Sequence, residues 1–122
     1  MIPATIDFLL RTNADYGEEL QFVDGDTYID LTDMTFSMEV RRYPGGPLLF
    51  TVPIGALDEE NGTVSLGISR DVIATAYLTV TGRTDGEEIQ LSHDILVEHV
   101  DGFREPWAEG RVTIRAGVTQ NG

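Results

Sequence analysis

The regular return of turn-forming residues is the feature that most constrains this fold, because it leaves room only for short segments. Glycine, proline, asparagine and aspartate interrupt the chain about every 8–12 residues, a spacing typical of folds built from short strands. Between the interruptions, apolar and polar side chains alternate. The clearest case is Thr35–Arg41, in which Phe36, Met38 and Val40 share one face of an extended chain. The pattern predicts an all-β fold with about seven to nine strands.

The same alternation continues through the second half of the chain. We expect strands at residues 63–68, 77–81, 89–100 and 111–115. One short helical turn is predicted near residues 69–76, where a serine precedes an aspartate in the first turn. We expect a single domain over residues 1–122, folded as an immunoglobulin-like antiparallel β-sandwich with the acidic residues on its outer faces.

Charge limits the partners of this chain. The net charge is -13, and all eight basic residues are arginines. A field of this sign repels the phosphates of nucleic acids and anionic membrane surfaces, so we expect neither as a partner. The chain has no cysteine, which excludes disulfides and thiolate chemistry. No apolar run is long enough for a membrane helix and no export signal is apparent, so we expect synthesis in the cytoplasm.

Catalytic patterns are weak, and the sequence predicts a protein that is not an enzyme. Ser92, His93 and Asp94 are the residue types of a hydrolase triad, but adjacent residues of a strand point to opposite faces. The expected role of His93 is that of a partly buried strand residue. We expect no cofactor.

A metal site has one weak set of candidates, the carboxylates of Asp24, Asp26 and Asp30. Oxygen ligands at a turn suit Ca²⁺, but the spacing lacks the distal glutamate of an EF-hand loop. The same letters describe an ordinary hairpin turn, which is the favoured interpretation.

Three aromatic residues, Trp107, Phe103 and Tyr43, are candidates for a partner-binding patch. Aromatic side chains are enriched at protein interfaces. The alternative is that the single tryptophan closes one end of the core.

Several local patterns occur in an order that resembles small structural proteins of tailed bacteriophages and prophages. The matching residues, within about residues 20–119, are Asp30-Leu31-Thr32, Thr35–Arg41, Gly62-Thr63-Val64, His93-Asp94-Ile95, Asp101-Gly102, Glu109-Gly110-Arg111-Val112 and Gly117-Val118-Thr119. Two positions depart from the pattern, since Asp33 replaces a glycine and His93 replaces a tyrosine.

The resemblance implies an immunoglobulin-like module of a tail, baseplate or fibre in the virion, with other virion proteins as partners and a homo-oligomer in the assembly. It carries no catalytic residues. The alternative function is a carbohydrate- or calcium-binding β-sandwich. Exposed strand edges are expected to serve assembly. Residues 1–6 and 118–122 are expected to be mobile until assembly.

Overall fold

The computed structural model describes residues 4–81 and 87–117, which form strands and one helix. In chain order the elements are β1 (Ala4–Thr5), β2 (Phe8–Arg11), β3 (Tyr16–Gln21), β4 (Val23–Asp24), β5 (Thr27–Tyr28), β6 (Thr35–Arg41), β7 (Leu48–Asp58), β8 (Thr63–Ile68), α1 (Arg70–Thr81), β9 (Ile89–Glu98) and β10 (Arg104–Arg115). The expected all-β class with one short helix is confirmed.

Eight strands hydrogen-bond into one sheet in the order β1-β10-β9-β6-β7-β8-β3, with β2 also beside β10, while β4 and β5 form a separate hairpin. Both β1 and β2 run parallel to β10, and the other neighbours are antiparallel. The sandwich expected from the sequence had two antiparallel sheets, whereas the structure has one mixed sheet that curls. The curl brings opposite edges together, because the rings of Phe8 in β2 and Tyr16 in β3 lie 5.9 Å apart.

The inner face of the curled sheet is the hydrophobic core. Period-2 alternation places one side of each long strand there, so that Met38, Val40, Ile95 and Val97 are fully excluded from solvent. The sheet therefore buries its apolar face against itself and leaves the alternate, polar side chains outside. The alternation in the sequence therefore predicted which side chains are buried, although the main sheet is one curled sheet and not the two expected.

Helix α1 is longer than the predicted turn, and residues 77–81 are helical where the sequence predicted a strand. Its buried residues Ile73, Ala76 and Tyr77 follow helical spacing toward the core. The hydroxyls of Thr79 and Thr81 each donate a hydrogen bond of 2.8 Å to the carbonyl four residues earlier. Threonine favours strands, but these hydrogen bonds accommodate it in the helix. The strand predicted at residues 77–81 was therefore wrong because it was based on residue composition.

Strand β10 begins at Arg104, seven residues before the predicted strand. Pro106 pairs with Leu96 and Ala108 with Ile95, so Trp107 is the extra residue of a β-bulge. A bulge tolerates a proline because the local ladder is already interrupted. It also turns Trp107 inward, where the side chain is buried.

The N-terminal residues that the structure describes are tied to the sheet, contrary to the expected mobility of residues 1–6. Ala4 and Thr5 pair with β10, and the Ile6 amide donates a hydrogen bond of 2.9 Å to the Glu109 carbonyl. The rest of the two segments expected to be mobile, residues 1–3 and 118–122, lies outside the described residues.

Two turns require unusual backbone angles. Asp33 has a φ of 64°, in the left-handed region that glycine occupies without strain. This is the position at which the resemblance has a glycine, and aspartate is among the residues that best tolerate the conformation. Gly62 has a φ of 71°, and a Cβ there would lie 2.6 Å from the Phe22 carbonyl oxygen.

Replacing Gly62 by alanine is therefore expected to be more costly than the same change at Gly25. Both residues have a positive φ, but a Cβ at Gly25 would meet nothing within 4 Å. We expect Gly25→Ala to lower the free energy of unfolding by about 1 kcal/mol from backbone strain alone, and Gly62→Ala to lower it by more than about 2 kcal/mol. Urea denaturation checks both values. Equal losses would show that the Phe22 carbonyl moves aside without cost.

Candidate interaction surface

The alternation of strand directions gathers the connections into two ends. Strands β6, β8 and β10 run away from one end, and β7 and β9 run toward it. We call this the loop end, formed by residues 22–34, 57–62 and 98–105. The opposite, helix end is formed by residues 11–16, 41–48, 69–81, 87–88 and 115–117.

A cluster of aromatic rings closes the core at the loop end. The rings of Phe22 and Phe36 are stacked with centroids 5.8 Å apart, and each meets the Trp107 ring edge-on, at 5.3 and 5.9 Å respectively. Edge-on contacts of this kind are the preferred geometry of aromatic pairs. Trp107 is only 4% exposed. The tryptophan thus occupies the end of the core, as in the alternative drawn from the sequence.

The three aromatic residues predicted as a patch do not share one surface. Phe103 is 60% exposed and lies at the loop end, in the β9–β10 connection. Tyr43 is also exposed, but it lies just beyond the end of β6, at the helix end. The start of β6 is at the other end, because Thr35 pairs with Glu98 beside the connection that contains Phe103. Of the three, only Phe103 offers an exposed ring at the loop end.

Substitutions at Trp107 and Phe103 are expected to separate a loss of stability from a loss of surface function. Trp107→Ala removes a buried ring and should lower the free energy of unfolding by about 3–5 kcal/mol. Phe103→Ala removes an exposed ring and should change it by less than about 1 kcal/mol. Thermal unfolding followed by circular dichroism checks both variants. A large loss in Phe103→Ala would mean that its ring supports the core.

His99 links the buried cluster to the exposed Phe103. Its ring centroid lies 5.8 Å from that of Phe103 and 6.3 Å from that of Trp107. Its Nε2 donates a hydrogen bond of 2.8 Å to a carboxylate oxygen of Glu105. This hydrogen bond holds the pKa of the Glu105 carboxyl below its usual value.

The loop end is strongly acidic, and the helix end is nearly neutral. The loop end carries ten carboxylates and one arginine: Asp24, Asp26, Asp30, Asp33, Asp58, Glu59, Glu60, Glu98, Asp101 and Glu105, with Arg104. The described helix end carries five arginines and four carboxylates: Arg11, Arg41, Arg42, Arg70 and Arg115, with Asp15, Asp71, Glu87 and Glu88. Arg104 donates from Nε to Glu98 at 2.9 Å, so even this cation is paired.

The metal candidates are divided between a hairpin and a turn. Asp24 ends β4 and Asp26 lies in the β4–β5 turn, while Asp30 follows β5. One Asp30 oxygen accepts hydrogen bonds from the Thr32 amide at 2.9 Å and hydroxyl at 2.6 Å, and these bonds lower the pKa of the carboxyl. Within residues 4–81 and 87–117, no group of three or more histidine, cysteine, aspartate or glutamate side chains is placed to hold a metal ion.

His93 lies in the core beside the N-terminal strand. It is 5% exposed, and its Nε2 donates a hydrogen bond of 2.6 Å to the Ile6 carbonyl. A carbonyl can only accept, so Nε2 holds the proton, and the buried Nδ1 has no hydrogen-bond partner among the residues that the structure describes. Burial lowers the pKa of the imidazole, although the Ile6 carbonyl and the carboxylates of Asp94, Asp7 and Glu109 act in the opposite direction.

This lowered pKa predicts a loss of stability in mild acid. The pKa of His93 is about 6.5 in the unfolded chain and lower in the folded protein, so between these two pH values the unfolded chain binds more protons. The contribution of the neutral, buried imidazole to stability is therefore fully present above about pH 6.5 and declines as the pH falls. We expect the free energy of unfolding to fall from pH 7 to pH 5, and to fall less in His93→Gln. Urea denaturation at both pH values checks this.

The second histidine, His99, is present in both proteins, so its titration cancels when their pH profiles are compared. Glutamine retains an amide donor for the Ile6 carbonyl, which limits the loss of structure. Identical pH profiles would contradict the prediction.

A shallow apolar groove of about 310 Å³ lies at the helix end between α1 and the start of β7. Leu49, Phe50, Val72 and Ala76 provide its apolar walls. Its volume is at the lower limit of ligand-binding pockets. In the described part of the chain, no helix is long and apolar enough to span a bilayer.

The similarity of this chain to known proteins is weak. No protein family model matches the chain, and no curated protein is similar to it in sequence. Among solved structures, the chain is weakly similar to a domain of a phage protein. That structure is the N-terminal domain of phage TP901-1 ORF48, with a TM-score of 0.47 and 9% identity over 92% of this chain and 93% of the other.

Proposed function

We propose that this chain is a non-enzymatic structural module of a tailed phage or prophage particle, within the tail, baseplate or fibre, acting through protein–protein assembly. The observation that carries the proposal is the ordered set of sequence patterns from Asp30 to Gly117 that resembles small phage structural proteins. In this protein the patterns that begin at Asp30 and Gly62 and the Asp101-Gly102 pair coincide with turns that precede strands, while those at residues 35–41, 93–95 and 109–112 lie within strands.

The coincidence is specific at three turns. Asp30 caps the step before β6 through its hydrogen bonds to Thr32, and Asp33 takes the left-handed conformation there. Gly62 and Gly102 have φ values of 71° and 88° in the turns that precede β8 and β10. Each turn begins a strand of the curled sheet, so the matching residues determine where strands start.

The surface is also suited to a structural role. The core is closed by aromatic rings at one end and by α1 at the other, so the scaffold is compact without disulfides. The free sheet edges are short or charged, since β1 has two residues, β2 has four, and β3 carries Glu18 and Glu19. Short, charged edges disfavour uncontrolled strand addition and leave the loops for specific contacts.

The experiment is purification of particles from an induced lysogen in which the chain carries an epitope tag. We expect the tagged chain to sediment with intact particles on a density gradient, at a fixed number of copies per particle. Deletion of the gene should give particles that lack a tail, baseplate or fibre component by electron microscopy. Absence of the chain from purified particles would overturn the proposal, and a catalytic turnover would contradict its non-enzymatic part.

A further inference from the structure

The connection between β9 and β10 presents apolar side chains in a defined conformation. We call residues 99–103 the tip. The His99 amide donates to the Phe103 carbonyl at 2.8 Å, and the Gly102 amide donates to the His99 carbonyl at 2.8 Å. The Phe103 amide donates to an Asp101 carboxylate oxygen at 3.0 Å. These bonds close the tip into a defined turn, from which Val100 and Phe103 are exposed.

Two side chains of the tip are the most exposed large apolar side chains in the part of the chain that the structure describes. Val100 is 83% exposed and Phe103 is 60% exposed. Because His99 connects Phe103 to the buried Trp107, the exposed ring rests on the closed end of the core. A pre-ordered aromatic ring beside apolar surface is the usual form of a binding hot spot, because little entropy is lost when a partner covers it.

Other exposed apolar side chains lie at the same end of the sheet. Val23 and Tyr28 are cross-strand partners in the β4–β5 hairpin and are 48% and 52% exposed. Leu57, in the bulge before the β7–β8 turn, is 55% exposed. Apolar side chains from three connections therefore lie at one end of the sheet, among ten carboxylates.

We propose that the loop end, centred on Phe103 and Val100, docks onto a basic protein surface that offers an apolar pocket surrounded by lysine or arginine side chains. The inference rests on the proposed function, because assembly supplies such a partner. Charge complementarity selects the partner: the loop-end arginine is already paired with Glu98, so the field there is negative and attracts cations. The apolar tip adds a second requirement, since solvated cations would leave Val100 and Phe103 exposed to water, whereas a protein surface with an apolar pocket buries them.

A second copy of this chain fits the loop end poorly. A symmetric contact would place ten carboxylates of one copy against ten of the other, within the screening length of about 8 Å at physiological salt. The described part of the helix end carries five arginines, but Arg41 and Arg115 pair with Glu39 and Glu88. Its charge is nearly balanced, which makes it a weak complement to the acidic end.

The test compares Phe103→Ser with the matched control Tyr43→Ser, an equally exposed ring at the opposite end. In particles from the tagged lysogen, we expect Phe103→Ser to be incorporated at least about tenfold less than the parent chain, the loss typical of an aromatic hot spot. Tyr43→Ser should be incorporated normally. Thermal unfolding of both purified variants verifies that they fold.

A photo-crosslinking amino acid at position 103 identifies what the tip touches in the particle. We expect a crosslink to a different protein, at a segment with more lysine and arginine than aspartate and glutamate. A crosslink to a second copy of this chain, or to an acidic segment, would overturn the inference. Normal incorporation of Phe103→Ser would also overturn it, while the proposed function would stand.

If the parent chain is itself absent from particles, the proposed function fails and a binding measurement decides the inference alone. The probe is a synthetic peptide of alternating arginine and leucine, titrated into the isotope-labelled full chain and followed by NMR. We expect chemical-shift changes at the loop end. We expect the affinity for the peptide to fall at least about tenfold in Phe103→Ser and in raised salt, but not in Tyr43→Ser. Changes elsewhere, or equal affinities of the variants, would overturn the inference.

Discussion

The contact of Trp107 with Phe22 and Phe36 is the interaction on which the rest of this structure depends. A curled sheet has an apolar interior that is open at both ends, and each end must be closed without burying unpaired backbone groups. At the helix end, α1 provides this closure. At the loop end there is no helix, and three aromatic rings from β10, β6 and the chain after β3 occupy the space. The bulge that turns Trp107 inward is therefore part of the closure.

The closure of the loop end also brings two acidic segments of the chain side by side. The chain after β3 must cross the open end to bring Phe22 under the sheet, where its amide donates to the Gly62 carbonyl at 2.8 Å. The crossing brings residues 22–34 beside the β7–β8 turn. Both segments are rich in carboxylates, and both precede strands whose inner residues are apolar. Exposed turns tolerate charged side chains, so the carboxylates of this end are accommodated without being buried.

Much of the fold was predictable from period-2 patterns, and the failures have separate physical causes. Strands β6, β8 and β9 were found because one face of each is buried and the other is not. The start of β10 was missed because Pro106 and the bulge remove the alternation that identifies a strand. Residues 77–81 were assigned to a strand because β-branched composition outweighed the helical spacing of Ile73, Ala76 and Tyr77. The single curled sheet depends on long-range pairing between β8, β7, β6 and β9, which local patterns do not contain.

The candidate surface was only partly visible in the sequence for a related reason. Phe103 follows the Asp101-Gly102 turn signal, and a residue beside a hairpin tip is expected to be exposed. Tyr43 also follows a strand and lies beside a turn, because a Pro-Gly-Gly-Pro segment comes directly after it. The two differ in the end of the sheet at which they lie, and that depends on the direction of β6 relative to β9. Strand topology, more than composition, decides which exposed rings lie on the same surface as the carboxylates. The concentration of acidic residues at one end of the sheet therefore becomes visible only when the strand pairing is known.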